Sequence, residues 1–406
     1  MKKNFIYAAA LFMGLTISFS SCSDDDDEPN VPGGGEQVDP EDDGTKDPAN
    51  IEYNSKNAKS WHNYMGVVAK LLKEDSEKLY NEWTTNKYGE NFKNPGENNP
   101  TGFKTYSACV QQIIDGCIDI AGEVGDAKIG DPYDKFISGD KTGALYAVES
   151  WYSWHSREDY SNNIVSVQNA FYGQRNQTTG IDVDGYTYHE NSIAKIVKAE
   201  NEALFTEMDE AIKGAYKAIL AIPAPFRNHI GSAESKAAID ACGVLAEALD
   251  KLKAYIVDNF ASAERDALLD PVVKQYVDAV VLPTYKDLRD ENNALYDVIA
   301  KLAKDPTNAN FKAACDQWIV AREPWEESEA FLFGPVGDFG LDPNMDSWPL
   351  DQAAIVNILN SGKFDDLVWD GDYSEENEDI ANKQSVRGYH TLEFLLFKDG
   401  EPRKVK

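Results

Sequence analysis

His390 and Glu393 stand three residues apart in the run Gly388-Tyr389-His390-Thr391-Leu392-Glu393. On a helix that spacing puts an imidazole and a carboxylate on one face. Phe394 and Phe397 share the face, so both polar groups are drawn inward. A buried carboxylate needs a partner: an arginine, a metal or a proton from the histidine. An imidazole and a carboxylate on one turn are also two ligands of a metal-binding bundle. His390 and Glu393 are therefore the candidate metal ligands, and any others must come from elsewhere. Alone, such a pair is more often a local hydrogen bond or salt bridge than a metal site.

A second run, Arg322-Glu323-Pro324-Trp325-Glu326-Glu327-Ser328-Glu329, packs ions among aromatic residues. Pro324 suits the first turn of a helix that Gly334-Pro335 ends, which puts Glu326 and Glu329 on one face. A helix running through Pro324 with a kink would add Arg322. The third run covers residues 149–173. Tyr160, Ile164, Val167 and Phe171 form an apolar stripe, with Ser156, Asp159, Asn163 and Ser166 beside it at helical spacing. That polar row is either a hydrogen-bonded seam between helices or the wall of a site. His155, His62, His189 and His229 have no sequence partner and read as surface or packing residues. Asp342, Asn344 and Asp346 begin like a calcium loop, but Ser347 replaces the turn glycine and Ala353 the closing acid. There is no His-Glu-x-x-His, no P-loop and no Gly-x-Ser-x-Gly.

The elements that must position these residues read as helices. Ile193, Val197, Leu204, Met208, Ala211, Ala215 and Ile219 recur at three and four, predicting one helix over residues 191–221, about 45 Å long. Ile239, Cys242, Leu245, Leu249, Leu252 and Ile256 repeat the pattern, and residues 285–302 give another. Only residues 181–188 alternate like a strand. The fold class is all-α, with two four-helix bundles. The organisation expected is 51–300 for mainly the first bundle and 301–406 for the second, with helices shared between them. Cys109, Cys117, Cys242 and Cys315 read as buried free thiols, with a Cys242–Cys315 pair left open.

The chain carries 70 acidic against 39 basic side chains, a net charge of −31, and no basic cluster, which argues against nucleic acid. Apolar residues make up 42%, enough for a sizeable core. Lys2 and Lys3 precede an apolar run over residues 5–19 that ends in Phe19-Ser20-Ser21-Cys22. This resembles a bacterial lipoprotein cleavage box. It implies a signal peptide over 1–21, lipid on Cys22, and a cell-envelope, outer-membrane lipoprotein held to the membrane by its anchor. Residues 22–50, acidic and rich in Gly and Pro, form a tether. Their Ser-Asp-Asp-Asp-Asp-Glu run also resembles surface-export signals of Bacteroidetes lipoproteins.

Together the runs resemble the imelysin-like family. Residues 388–393 match its Gly-x-His-x-x-Glu signature. Residues 322–334 are similar to its segment with Arg, an aromatic-Glu pair and Ser-Glu-Ala. Trp348-Pro349-Leu350-Asp351 matches its Trp-Pro-aliphatic-Asp step, and residues 153–173 its Ser/Asp/Asn run. The order departs from the usual pattern, with the histidine motif last, as in a circular permutation. The resemblance implies two similar helical bundles with a site between them and an association with bacterial iron uptake. On it, Arg322, Glu326, Ser328, Glu329, Ser156, Asp159 and Gly388 are the ligand-binding candidates. The cargo expected is iron, another divalent metal or an iron-related ligand, with uptake components as partners. Oxygen-rich surroundings with one imidazole suit iron. The alternatives are a metallopeptidase using His390 and Glu393, a glycan-binding surface lipoprotein, and a polar cluster that only locks the bundles together.

Overall fold

The computed structural model describes residues 51–175, 187–368 and 377–405. The expected signal peptide, Cys22, the tether and most of the alternating stretch 181–188 lie outside them.

Helices dominate the described residues. Those that build the core are α1 (Ala58–Trp83), α2 (Tyr106–Gly122), α3 (Ser156–Tyr172), α4 (Glu202–Ala221), α5 (Ala233–Asn259), α6 (Leu282–Lys304), α7 (Asn308–Glu326), the short α8 (Leu341–Asp346) and α9 (Gly388–Leu396). A two-stranded ribbon pairs Phe397–Lys398 with Glu401–Pro402. The all-α class is as the periodicity predicts.

Capping explains where several helices begin. Thr105, Ser232 and Thr307 each accept a hydrogen bond from a backbone N–H three residues on, satisfying a donor that the first turn leaves free. The long helix expected over 191–221 is two helices. Ile193–Glu200 stops at Asn201, whose backbone leaves the helical region at φ −146 and whose side chain caps α4 by accepting from Leu204 N. Asparagine at a cap competes for backbone donors in this way, which periodicity does not register. In α7 the helix does run through Pro324, to Glu326.

The helices pack in two groups of four. In one, α1 lies against α6 and α9, and α7 against α6 and α9. In the other, α5 lies against α2 and α4, and α3 against the same two. The second group is therefore inserted between α1 and α6 of the first. Residues 300 and 301 both fall inside α6, so the boundary expected there does not separate the groups. Long-range bonds tie α1 to α9 and the residues just before it: the Trp61 indole donates to the Leu395 carbonyl at 2.9 Å, and the Tyr64 hydroxyl to the Val386 carbonyl at 2.7 Å.

The groups meet where α3 packs on α7, and where a 3-10 turn, Glu329–Phe331, touches α2 and α3. Gly116 permits that approach, since a Cβ there would fall 2.1 Å from the Ala330 carbonyl oxygen. Cys109, Cys117, Cys242 and Cys315 are buried and free. Burial pushes all four thiols up, Cys109 and Cys242 to about 12, which leaves them unreactive. No described helix is long and apolar enough to cross a membrane.

Candidate functional site

At the junction of the groups a single guanidinium gathers three carboxylates. Arg322, 1% exposed, comes from α7 one turn before its end. Its Nε donates to Asp159 Oδ2 of α3 at 2.9 Å. One terminal nitrogen pairs with Glu326 Oε1 at 2.6 Å, and the other bonds Asp346 Oδ1 at the end of α8. Three helices, α3, α7 and α8, thus converge on one cation. A buried charge is tolerated only when it is paired in this way.

His390 closes one side. Its Nε2 lies 3.2 Å from Asp346 Oδ1 and 3.4 Å from the Arg322 guanidinium, and its Nδ1 lies 3.1 Å from Glu393 Oε2. The other oxygen of Glu393 accepts from the Tyr152 and Ser153 backbone N–H groups at 3.0 and 2.7 Å, and from the Ser153 hydroxyl at 2.7 Å. The turn that presents those donors is held in two left-handed residues, Ser150 (φ 48) and Trp154 (φ 62). Such backbone is strained for residues other than glycine. Trp348 sets its ring edge-on to His390, centroids 4.8 Å apart.

Asp159 is supported further by Ser150 Oγ and by His155 Nδ1 at 2.8 Å. His155, read from sequence as a packing residue, is thus part of the network. Its i,i+4 spacing to Asp159 is the signal that could have placed it there. Asn163 donates to Glu326 Oε2 at 2.6 Å, and the Trp325 indole to Asp346 Oδ2 at 2.8 Å.

Beyond Arg322 the cluster turns acidic. One oxygen each of Glu326, Glu329 and Asp346 lie within 4.8 Å of one another. Glu329 is 9% exposed, and its carboxylate accepts no hydrogen bond from the described residues; the Lys128 ammonium stands 3.9 Å away. Lys128, 4% exposed, projects from a π-helical stretch, Glu123–Gly130, that prolongs α2, and also faces Glu149 at 3.2 Å and Glu123 at 3.6 Å. Glu123 and Asp342 bring exposed carboxylates to the same neighbourhood.

These surroundings sort the protons. Burial and the Arg322 charge oppose the imidazolium of His390, but Asp346 and Glu393 outweigh them and raise it to about 9. Burial also opposes ionisation of Asp346 and Asp159. Arg322 and the neighbouring histidines win, holding both carboxyls well below the usual range. For Glu326 burial prevails over Arg322, with Asp159 adding repulsion, and its carboxyl rises to about 8. Burial and Glu326 drive Glu329 up as well, against Lys128. Asp342 rises to about 7; although its side chain reaches solvent, the protein mass around it and then Glu123 and Asp346 disfavour its charge. The site therefore gathers more carboxyl groups than its own cations can hold ionised.

Of the residues singled out from sequence, Arg322, Glu326, Glu329, Asp159, His390 and Glu393 are brought together. Glu326 and Glu329 do so across a turn, because α7 ends at Glu326. Ser156 and Ser328 are instead engaged with the backbone: Ser156 donates to the Glu149 carbonyl at 2.5 Å and Ser328 to the Trp325 carbonyl at 2.7 Å. Gly388 positions α9. It has φ +85, and a Cβ would lie 2.5 Å from the Met345 carbonyl oxygen. Gly388→Ala is expected to lower the unfolding free energy by at least about 2 kcal/mol in urea titration, from strain plus the clash with α8. Sequence reasoning missed Asp346 and Lys128.

Comparison with known proteins follows the same lines. The family model described as Imelysin (peptidase M75) matches residues 39–254 and 281–406. An imelysin peptidase from Bacteroides ovatus has a solved structure that is 52% identical, with a TM-score of 0.82, covering 89% of this chain and 100% of that one. The iron-regulated protein A of Synechococcus elongatus is 32% identical over 143 residues, 35% of this chain. The match spans 36% of that curated relative's length.

Proposed function

The chain belongs to the imelysin family, and on that premise we propose a lipid-anchored cell-envelope protein that takes up iron, as the ion or an iron-bearing ligand, between its two helix groups. The observation that carries this reading is the convergence of Glu326, Glu329 and Asp346 within 4.8 Å, in a site with surplus carboxylates. Hard oxygen donors in that number suit an iron or other divalent cation. The iron-regulated name of the cyanobacterial relative agrees. In this reading the trio makes the first contacts. Arg322 fixes Glu326 and Asp346, while His390, itself held by Glu393, supports Asp346 from behind. Cys22 supplies the membrane anchor, and uptake components of the envelope are the partners.

This moves the metal contacts away from His390 and Glu393, the pair expected from sequence. Both ring nitrogens of His390 face carboxylates, a guanidinium stands 3.4 Å from one, and Glu393 Oε1 already accepts three hydrogen bonds. A catalytic zinc wants about three protein ligands, an open position and a free general base. The pair as it stands does not fit that chemistry, which disfavours the peptidase reading. Among the described residues the exposed large hydrophobic side chains are aliphatic, which lends the glycan reading no support.

Anaerobic calorimetry with ferrous iron tests the proposal. Wild type is expected to bind saturably, and Glu326→Gln/Glu329→Gln to lose at least about 2 kcal/mol of binding while remaining folded, as expected when charged ligands are removed. Repeating the titration in two buffers of different ionisation heat at pH 7 is expected to reveal proton release, since Glu326 gives up a proton held with a pKa of about 8. Unchanged binding in the folded double variant would leave the cluster as a lock between the helix groups.

A further inference from the structure

We propose that Lys128 is a tethered counter-cation that competes with the cargo for Glu329, and so sets the affinity and charge selectivity of the site. This rests on the cation reading above.

The geometry is that of a rival poised to step aside. A lysine 4% exposed must be paired to stay charged. Lys128 has three carboxylates, each from a different stretch of chain: Glu149 at 3.2 Å, Glu123 at 3.6 Å and Glu329 at 3.9 Å. The first two are the closer ones, and neither belongs to the trio. The third belongs to the trio and is held too loosely for a hydrogen bond. Among the described residues Glu329 has no other cationic or hydrogen-bonding partner, although it is about nine-tenths buried. Its carboxylate is thus kept for something else, with an ammonium standing near by to make its burial tolerable. When a cation occupies the trio, Lys128 need only close on Glu149 and Glu123, which already hold it. The π-helical stretch that carries it is the kind of local irregularity often found at functional sites.

Two consequences follow from like-charge repulsion in a poorly screened interior. The ammonium lowers the affinity for every cation. It also penalises monovalent ions relatively more, because one unit of charge gains too little from the trio to displace the lysine, whereas two or three units do.

The test uses the full chain and ferrous iron under anaerobic conditions, with folding followed by circular dichroism. K128M keeps the stem and removes the charge, and is expected to bind at least tenfold tighter than wild type. In K128M, sodium chloride is expected to weaken binding more than tetramethylammonium chloride at equal ionic strength, because sodium now enters the trio; in wild type the two salts act alike. Folded K128M with unchanged or weaker binding, and no difference between the salts, would overturn the proposal. If K128M does not fold, K128R carries the test. Its longer side chain reaches Glu329 with a true hydrogen bond and is expected to weaken binding at least fivefold; no weakening would overturn the proposal. The underlying reading fails separately, when wild type and all variants bind no ferrous iron or when E326Q/E329Q binds as wild type does.

Discussion

Arg322→Met is expected to cost about 3–5 kcal/mol of unfolding free energy, the largest single effect in the molecule. The substitution fills nearly the same volume but removes the one cation shared by Asp159, Glu326 and Asp346. Breaking a buried ion pair from one side leaves the other charges uncompensated, and that is where the cost arises. His390, 3.4 Å from the guanidinium, cannot replace it for Asp159, which lies across the site on α3. Urea unfolding at pH 7 measures the loss. A partner change locates it: Arg322→Met/Asp346→Asn is expected to recover part of the deficit, since one orphaned charge is removed with its cause. A loss below about 1 kcal/mol would mean that water solvates the cluster as if it were on the surface.

Stability is expected to fall as pH rises from about 4.5 to 9, the second large effect. His390 has a folded pKa of about 9 against 6.5 in the open chain. Its contribution is complete below 6.5 and lost as pH passes 9, on the order of 3 kcal/mol. Glu326, with a folded value of about 8, and Glu327 and Asp342, with values of about 7, are raised too. A raised carboxyl binds its proton more tightly when folded. Its contribution is therefore present at low pH and lost as pH climbs through the folded value, in the same direction as the histidine's. Asp346 and Asp159 act oppositely, because their folded values are depressed. Their contribution is present above about 3.8 and lost in stronger acid. The melting temperature should peak near pH 4–5. His390→Gln should flatten the limb between 6.5 and 9, and Glu326→Gln the limb between 4.5 and 8. A melting temperature that is flat across the range would contradict the burial of the cluster.

The histidine motif was legible because both partners lie on one helical turn. So was the apolar face that draws them inward. Arg322 required the helix to tolerate Pro324, a possibility the sequence left open between two readings. Asp346 was passed over because it sits in a run resembling a broken calcium loop; its real setting, a six-residue helix against α9, depends on packing and not on any local pattern. Lys128 gave no signal at all, since a π-helical stretch changes the angular register on which face arguments rest. Pairing between distant helices was likewise out of reach. Periodicity tells which side of α1 is apolar, but not that Trp61 bonds Leu395, 334 residues further on.

That insertion of one helix group inside the other has a consequence for assembly. The four helices of the inserted group are near neighbours in sequence and can close with little loss of chain entropy. The enclosing group cannot close until α9 arrives, and α9 brings His390 and Glu393 with it. The charged centre is thus built last, on a scaffold already half made. A chain interrupted before residue 388 would present a credible half-molecule in which Arg322 lacks His390 and α1 lacks its lid. In such a copy the flank of α1 that carries Trp61 is left without its Leu395 partner, an apolar surface that the finished chain buries.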